Sequence, residues 1–355
     1  MEQHLTIRRI AELAGVSVGT VDRVLHNRGR VSPEAVAAIQ AVLDGQSYKY
    51  NLHTSAVAFK KTKKTLWIVI GIPSSVKGEY WDLIKKGLDK AFTEFSDFSI
   101  KSQYVFFDQF NSNSCREAFD TISTLPCSAV ILGTTFVEET RRICDVLGGK
   151  QIPYVFVDGN VPGTNPVACY MADQDSCGRL LARLIDGLTP EGSEVAAMLP
   201  RRVGTSLSNN STIRLEALRS YFKKNGKKVL KEFYFPVEEP EAIQSSVAGF
   251  LKDNPLVKGI AVVISNGYLI SDALAAARIK GICIGGFDVT AENSRCVKEG
   301  ALDFLISQHP EIQSLNAVQC LLHYLLYGAP DTSLRSHLPI EVVFKENLPW
   351  TGGIL

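Results

Sequence analysis

Residues 6–27 read T-I-R-R-I-A-E-L-A-G-V-S-V-G-T-V-D-R-V-L-H-N. Thr6 suits a helix N-cap, and Ile7–Ala14 sets Ile10, Leu13 and Ala14 on one face. Gly15-Val16-Ser17 supplies a tight turn and a second N-cap. A second helix follows from Val18 to about His26, with Val21, Val24 and Leu25 apolar. Asn27–Arg30 reads as a loop. Ser32-Pro33-Glu34 opens a third helix, with Ser as cap and Pro at the first helical position, and it ends near Asp44-Gly45.

Two helices joined by a Gly-containing turn form a helix-turn-helix, whose second helix enters the major groove of DNA. The hydroxyls of Thr6, Ser17 and Thr20 suit phosphate contacts. Arg23 is the best base reader, because a guanidinium can grip guanine bidentately, and Val18 suits a thymine methyl. Asn27 and Arg28, in the loop that follows, join the DNA-facing set.

The charge distribution agrees. The chain has 355 residues, with 38 Lys plus Arg against 37 Asp plus Glu, a net charge of +1. Residues 1–64 hold ten basic and five acidic residues, a balance of +5 that leaves −4 for the remainder. A basic head on a mildly acidic body is the asymmetry of a nucleic-acid-binding arm. The composition, 45% apolar and 21% charged, is that of an ordinary soluble globular chain. The longest apolar run, Leu66–Ile72, is far short of the roughly 18 residues of a membrane span. Met1-Glu2-Gln3-His4 lacks the pattern of a secretory signal, and eight cysteines with no C-x-x-C spacing read as reduced thiols. A cytoplasmic location and no membrane partner are expected.

After the basic run Lys60-Lys61-Thr62-Lys63-Lys64 the pattern changes. Strands are expected at Leu66–Ile72, Tyr104–Phe107, Ala129–Leu132, Tyr154–Val157, Val195–Leu199, Ile260–Ile264 and Ile282–Gly285. Amphipathic helices are expected at Tyr80–Phe95, Gln174–Leu188, Ser211–Lys224 and Glu311–Leu326. Alternation of this kind predicts an α/β fold of doubly wound parallel sheets, and about 290 residues fit two lobes better than one.

Polar residues stand just beyond several of these strands: Asp108, Asp158, Asn266 and Asp288. Arg214 sits near a helix start, Gln308 precedes His309-Pro310, and Tyr80-Trp81 follow the first strand. Carboxylates, amides, a guanidinium and aromatic faces suit a neutral polyhydroxylated ligand, since each hydroxyl both donates and accepts. Each residue taken singly also has a plainer reading, as a helix cap, a turn former or a core side chain. Asp158 and Asp288 would serve a glycosidase only as a suitably spaced pair. No Gly-x-Ser-x-Gly, P-loop or Gly-x-Gly-x-x-Gly fingerprint is present, and the six histidines show no metal spacing. A sensor is expected, with no catalytic residue, metal or cofactor.

The stretch Thr6–Asn27, with Val31-Ser32-Pro33-Glu34 and Tyr48-x-x-Asn51, resembles the headpiece of the lac repressor family of bacterial regulators. The resemblance implies that Val18, Gly19 and Arg23 read bases. It further implies that Tyr48 leads into a hinge helix containing Asn51, Thr54 and Val57, with Val57 where the family inserts a leucine into the minor groove. Leu66 to about Val343 is similar to the ribose-binding type of periplasmic sugar-binding fold. That places Tyr80, Trp81, Asp158, Arg214, Asn266, Asp288 and Gln308 around a sugar, with Asp108, Gln109 and Asp173 nearby.

The implied organisation is a helix-turn-helix head in 1–46, a hinge and linker in 47–64, and a two-lobed sensor in 65–355. The implied function is a repressor that binds an inverted-repeat operator as a homodimer under the control of a pentose, hexose or cyclitol. A purine or nucleoside is the alternative effector. A sugar-processing enzyme is the reading from another class. The absence of leucine heptads at the chain end predicts a dimer rather than a tail-built tetramer.

Overall fold

The structure, a computed structural model, describes residues 7–25, 31–45, 65–74, 76–201, 208–225, 228–237, 239–331, 334 and 336–348. Thr6, Asn27, Arg28, Tyr48, Asn51, Thr54 and Val57 lie outside the described residues, as do the expected hinge helix and the 60–64 linker.

Among the described residues the head is three helices, α1 (Ile7–Ala14), α2 (Val18–Leu25) and α3 (Pro33–Gly45). Gly15 turns the chain between α1 and α2 at φ 65°, a left-handed conformation that glycine adopts freely. The Val16 amide then closes on the Ala11 carbonyl at 3.0 Å. Ser17 caps α2, its Oγ accepting from the Thr20 amide at 3.0 Å, and Ser32 Oγ accepts from Ala35 at the start of α3. Ile10, Ala11, Val21 and Ile39 form a small core. Leu13, expected on the inner face, is 41% exposed, and Ala11 takes the inner place. The buried stripe of α1 runs through positions 7, 10, 11 and 14, and position 13 falls outside it.

The body holds strands β1 (Leu66–Pro73), β2 (Ile100–Phe107), β3 (Ala129–Gly133), β4 (Tyr154–Val157), β5 (Ala168–Ala172), β6 (Glu194–Pro200), β7 (Leu230–Phe235), β8 (Val257–Val262), β9 (Cys283–Phe287), β10 (Phe304–Ser307), β11 (His337–Leu338) and β12 (Glu341–Val343). Its helices are α4 (Tyr80–Glu94), α5 (Ser112–Thr124), α6 (Val137–Gly149), α7 (Gln174–Leu188), α8 (Asn209–Asn225), α9 (Pro240–Asp253), α10 (Gly267–Ala276), α11 (Ala291–Glu299) and α12 (Pro310–Tyr327). One sheet has the order β11-β5-β4-β3-β1-β2, and the other β12-β10-β9-β8-β6-β7. Every strand pair is parallel except β10 with β12. The central strands are apolar throughout, as a sheet covered on both faces requires: β3, β4 and β10 are wholly buried.

The chain passes between the lobes three times. It leaves the first lobe after β5, returns after β10, and crosses again between β11 and β12. Helix α12, late in the sequence, therefore packs on α4 near the start of the body. Gly87 makes that approach possible, because Ser314 Cβ lies 2.7 Å from where a side chain at 87 would begin. Ser314 Oγ donates to the Ile84 carbonyl across this contact at 2.9 Å.

Candidate functional site

In parallel sheets of this kind the carboxyl ends of the strands face a common crevice. Here both sheets turn those ends toward one cavity between the lobes. The first lobe contributes Glu79, Tyr80 and Trp81 beyond β1, Gln109 and Phe110 beyond β2, Thr134 and Thr135 beyond β3, and Asp158 beyond β4. The second lobe contributes Ser208, Asn210, Ser211 and Arg214 of α8 and its approach, Ile264, Ser265 and Asn266 beyond β8, and Gln308 beyond β10.

Tyr80 and Trp81 open α4 and meet edge to face, with ring centres 5.4 Å apart. The indole packs over Gly133, where an added Cβ would lie 2.8 Å from it. The Tyr80 hydroxyl donates to Asp158 Oδ1 at 2.5 Å. Burial and the neighbouring Asp158 and Asp288 hold the Tyr80 pKa well above its ordinary value, so the hydroxyl stays a donor. The Asp158 amide is shared between the Tyr170 carbonyl at 3.1 Å and Gln313 Oε1 at 2.8 Å. These bonds fix Asp158 in a left-handed conformation, φ 72°.

Arg214 is 4% exposed. Its guanidinium donates to Gln174 Oε1 at 2.8 Å, the Val263 carbonyl at 2.8 Å and Gln308 Oε1 at 2.7 Å, and stacks 3.7 Å from the Phe287 ring centre. No carboxylate among the described residues pairs with it directly. Gln308 in turn donates to both Asp288 oxygens, at 3.1 and 2.9 Å, and Ser265 Oγ donates to Asp288 Oδ2 at 2.6 Å. Asp288 is thus held behind Gln308 and Ser265 and is not among the residues lining the cavity. Burial pushes its pKa up to about 7, against the lowering effect of Arg214, Ser265 and Gln308. Burial likewise raises Asp158, opposed by the Tyr80 hydroxyl and Arg214.

The lobes also touch directly around the cavity. Glu79 accepts from the Tyr268 hydroxyl at 3.0 Å and from Asn266 Nδ2 at 3.4 Å. The Ala291 amide donates to the Gly78 carbonyl at 3.2 Å. On the α8 side, the Asn209 amide donates to the Thr135 carbonyl at 3.1 Å, and Asn210 Nδ2 donates to the Asp158 carbonyl at 2.8 Å.

Of the sequence-derived ligand set, Tyr80, Trp81, Asp158, Arg214, Asn266 and Gln308 line the cavity, and Asp288 supports Gln308. Asp108 is a turn former whose carboxylate accepts from the Phe110 amide at 2.8 Å, while its neighbours Gln109 and Phe110 reach the cavity. Asp173 caps α7. Arg214 forms no pair with Glu216, which binds Arg219 instead. Thr134, Thr135, Glu79, Asn210 and the buried amides of Gln174 and Gln313 were not anticipated. Thr134-Thr135 carry the signal that picked out Asp158, a polar pair just after an apolar strand.

In the head, Ser17, Val18, Gly19 and Arg23 are exposed along α2, with Val18 at 47%. Arg23 Nε donates to the Gly19 carbonyl at 3.1 Å, and the Ser17 and Thr20 hydroxyls are 2.8 Å apart.

A helix-turn-helix joined to two parallel-sheet lobes around a polar cleft defines a DNA-binding regulator with a periplasmic-binding-protein-like sensor. The family model described as "Periplasmic binding protein domain" matches residues 68–329, and that of "Bacterial regulatory proteins, lacI family" matches residues 6–51. The body of the chain belongs to the periplasmic binding protein domain family and the head carries a DNA-binding domain of the lacI family; the chain is a DNA-binding transcriptional regulator. It is 23% identical over 300 residues to the HTH-type transcriptional regulator DegA of Bacillus subtilis, covering 80% of this chain and 82% of that one. A crystal structure assigned as a LacI transcriptional regulator from Bacteroides fragilis superposes with a TM-score of 0.76 at 24% identity, over 81% of this chain and 99% of the other. GanP, a glucose-galactose binding protein from Geobacillus stearothermophilus, superposes with a TM-score of 0.69 at 18% identity, over 81% of this chain and 100% of the other. Among the described residues no helix is long and apolar enough to cross a membrane.

Proposed function

We propose that the chain is a repressor whose affinity for an inverted-repeat operator is set by a small uncharged polyol, a pentose, hexose or cyclitol, bound between the lobes. The observation that carries this reading is the cleft itself. Asp158, Asn266, Gln308 and Arg214 alternate acceptors and donors around one cavity, and Trp81 and Phe110 supply aromatic faces. Vicinal hydroxyls satisfy both kinds of group at once. The carboxylates of Glu79 and Asp158 facing a single guanidinium disfavour an anionic ligand.

The working form is a cytoplasmic homodimer, since two heads related by a two-fold axis match a two-fold operator. The edge strand β2 leaves Phe106 44% exposed, stacked on Tyr104, an apolar strip suited to a second copy. The units are a head in 1–46, a hinge and linker in 47–64 and a sensor in 65–355. In the head, Thr6, Ser17, Thr20, Asn27 and Arg28 serve the phosphates, Val18, Gly19 and Arg23 the bases, and Tyr48, Asn51, Thr54 and Val57 the hinge contacts. A ligand that binds the closed lobes more tightly than the open ones shifts the lobe equilibrium. Linkage then couples it reciprocally to operator affinity, by about 1–3 kcal/mol in typical cases.

Thermal melts of the full chain against D-ribose, D-glucose, D-galactose, myo-inositol and adenosine test the effector class. A polyol that binds the native state raises the midpoint. A rise with adenosine alone would transfer the site to a nucleoside.

A further inference from the structure

Many polar groups of the cleft are paired with one another, but two fully buried polar atoms in its wall are not. Thr135 Oγ1 and Asn210 Oδ1 are buried and have no hydrogen-bond partner among the described residues. Each residue is only 7% exposed, and both line the interlobe cavity. They come from opposite lobes, Thr135 from the end of β3 and Asn210 from the start of α8. The bond from the Asn209 amide to the Thr135 carbonyl holds the two segments against each other.

The orientation of the Asn210 amide follows from its surroundings. Its Nδ2 donates to the Asp158 carbonyl at 2.8 Å, and a flipped amide would set two oxygens together. Oδ1 is therefore an acceptor in need of a donor. Gly159 keeps the space beside it open: a Cβ there would lie 3.0 Å from Asn210 Oδ1 and 2.5 Å from Thr134 Oγ1. A hydroxyl rotor such as Thr135 Oγ1 can donate or accept. An unpaired buried polar atom bears its full desolvation cost, so two of them in one cavity wall mark where an occupant completes the network.

We propose that Thr135 and Asn210 form a hydroxyl-reading corner of the effector site. One hydroxyl of the ligand donates to Asn210 Oδ1 and accepts from Thr135 Oγ1, so a single group of the ligand ties the two lobes together. This rests on the polyol reading above and sharpens it. A phosphate or carboxylate oxygen at the same place only accepts, leaves Asn210 Oδ1 unpaired and repels it. The effector therefore carries a free hydroxyl at this corner and is not esterified there.

The test is isothermal titration of the full chain and of Thr135→Val and Thr135→Ser, first with D-ribose, D-glucose, D-galactose and myo-inositol. Valine keeps the shape of threonine and removes only the unpaired hydroxyl, so folding is preserved. For the polyol that binds, Thr135→Val should weaken affinity about tenfold or more, and Thr135→Ser should restore most of it. In a set of monodeoxy derivatives, one should bind wild type and Thr135→Val equally, which identifies the hydroxyl that is read. A purely structural role for Thr135 would penalise all derivatives alike. Equal affinity of the parent polyol for wild type and Thr135→Val would overturn the corner while leaving the polyol effector intact. No binding of any polyol to the wild-type chain would overturn both.

Discussion

The Glu79 carboxylate of the first lobe accepts from the Tyr268 hydroxyl of the second at 3.0 Å. This bond closes one edge of the cleft, and Asn266, itself a cavity residue, donates to the same Glu79 oxygen. Tyr268→Phe removes the latch without touching the cavity lining. We expect ligand dissociation to quicken, with affinity falling about tenfold or more, the worth of one hydrogen bond to a charged group. Operator binding in the absence of ligand should be unchanged. Surface plasmon resonance with the sensor immobilised measures the first, and an operator gel shift the second.

Arg214 holds Gln174, Gln308 and the Val263 carbonyl together. Arg214→Ala leaves these acceptors unpaired and should cost about 2–5 kcal/mol of body stability together with ligand binding. Arg214→Lys keeps the charge but cannot reach three partners in a plane and should bind ligand weakly while folding normally. Retention of ligand binding by both variants would remove Arg214 from the site.

Stability should depend on pH through Asp288. Its folded pKa, about 7, lies above the usual carboxylate value. The folded state therefore holds more protons than the unfolded state between about pH 4 and 7, and stability falls as pH rises through that window. The melting midpoint of unliganded protein should be lower at pH 8 than at pH 5.5. Asp288→Asn should flatten the curve. A wild-type midpoint rising over the same interval would contradict the assignment.

On the DNA side, Arg23 is exposed on α2 with its Nε resting on the Gly19 carbonyl. Arg23→Ala should cost about 1–3 kcal/mol and relax discrimination at one position of each half-site. Binding measured over an operator library would show uniform weakening instead if Arg23 only touched phosphate.

Gly133→Ala places a methyl within 2.8 Å of the Trp81 ring. Overpacking of that kind costs about 1–3 kcal/mol. The displaced indole should narrow the cavity, so ligand affinity should fall along with the melting midpoint, with operator affinity unaffected.

Much of this arrangement was legible in the amino-acid order because it rests on strong local signals. Gly15, Ser17, Ser32 and Pro33 punctuate the head, and all four do in the structure what their chemistry suggests. The rule that polar residues beyond apolar strands face the crevice located Asp158 and Asn266. It passed over Thr134-Thr135 because threonine is also at home inside strands. It also picked out Asp108, whose carboxylate serves a local turn instead. Gln174 and Gln313, 1% and 0% exposed, look in sequence like ordinary helix residues; burial by distant segments makes them important. Edge strand β7 carries Lys231 and Glu232 among its aromatics, and β11 and β12 have two and three residues. None of these offers a periodicity to read.

The triple crossing between lobes has a consequence for biosynthesis. The lobe that emerges first from the ribosome cannot complete its own interior until residues 310–327 follow, because Ala317, Leu321 and Leu322 fill the space against Ile84 and Leu88. The second lobe draws most of its core from residues 172–306, made before the first can close, and is itself finished only by Val343 and Leu348. The nascent chain thus carries an unfinished apolar face through most of translation. A truncation anywhere before α12 damages the part already made, and neither lobe can be expressed alone by cutting the gene at a single point.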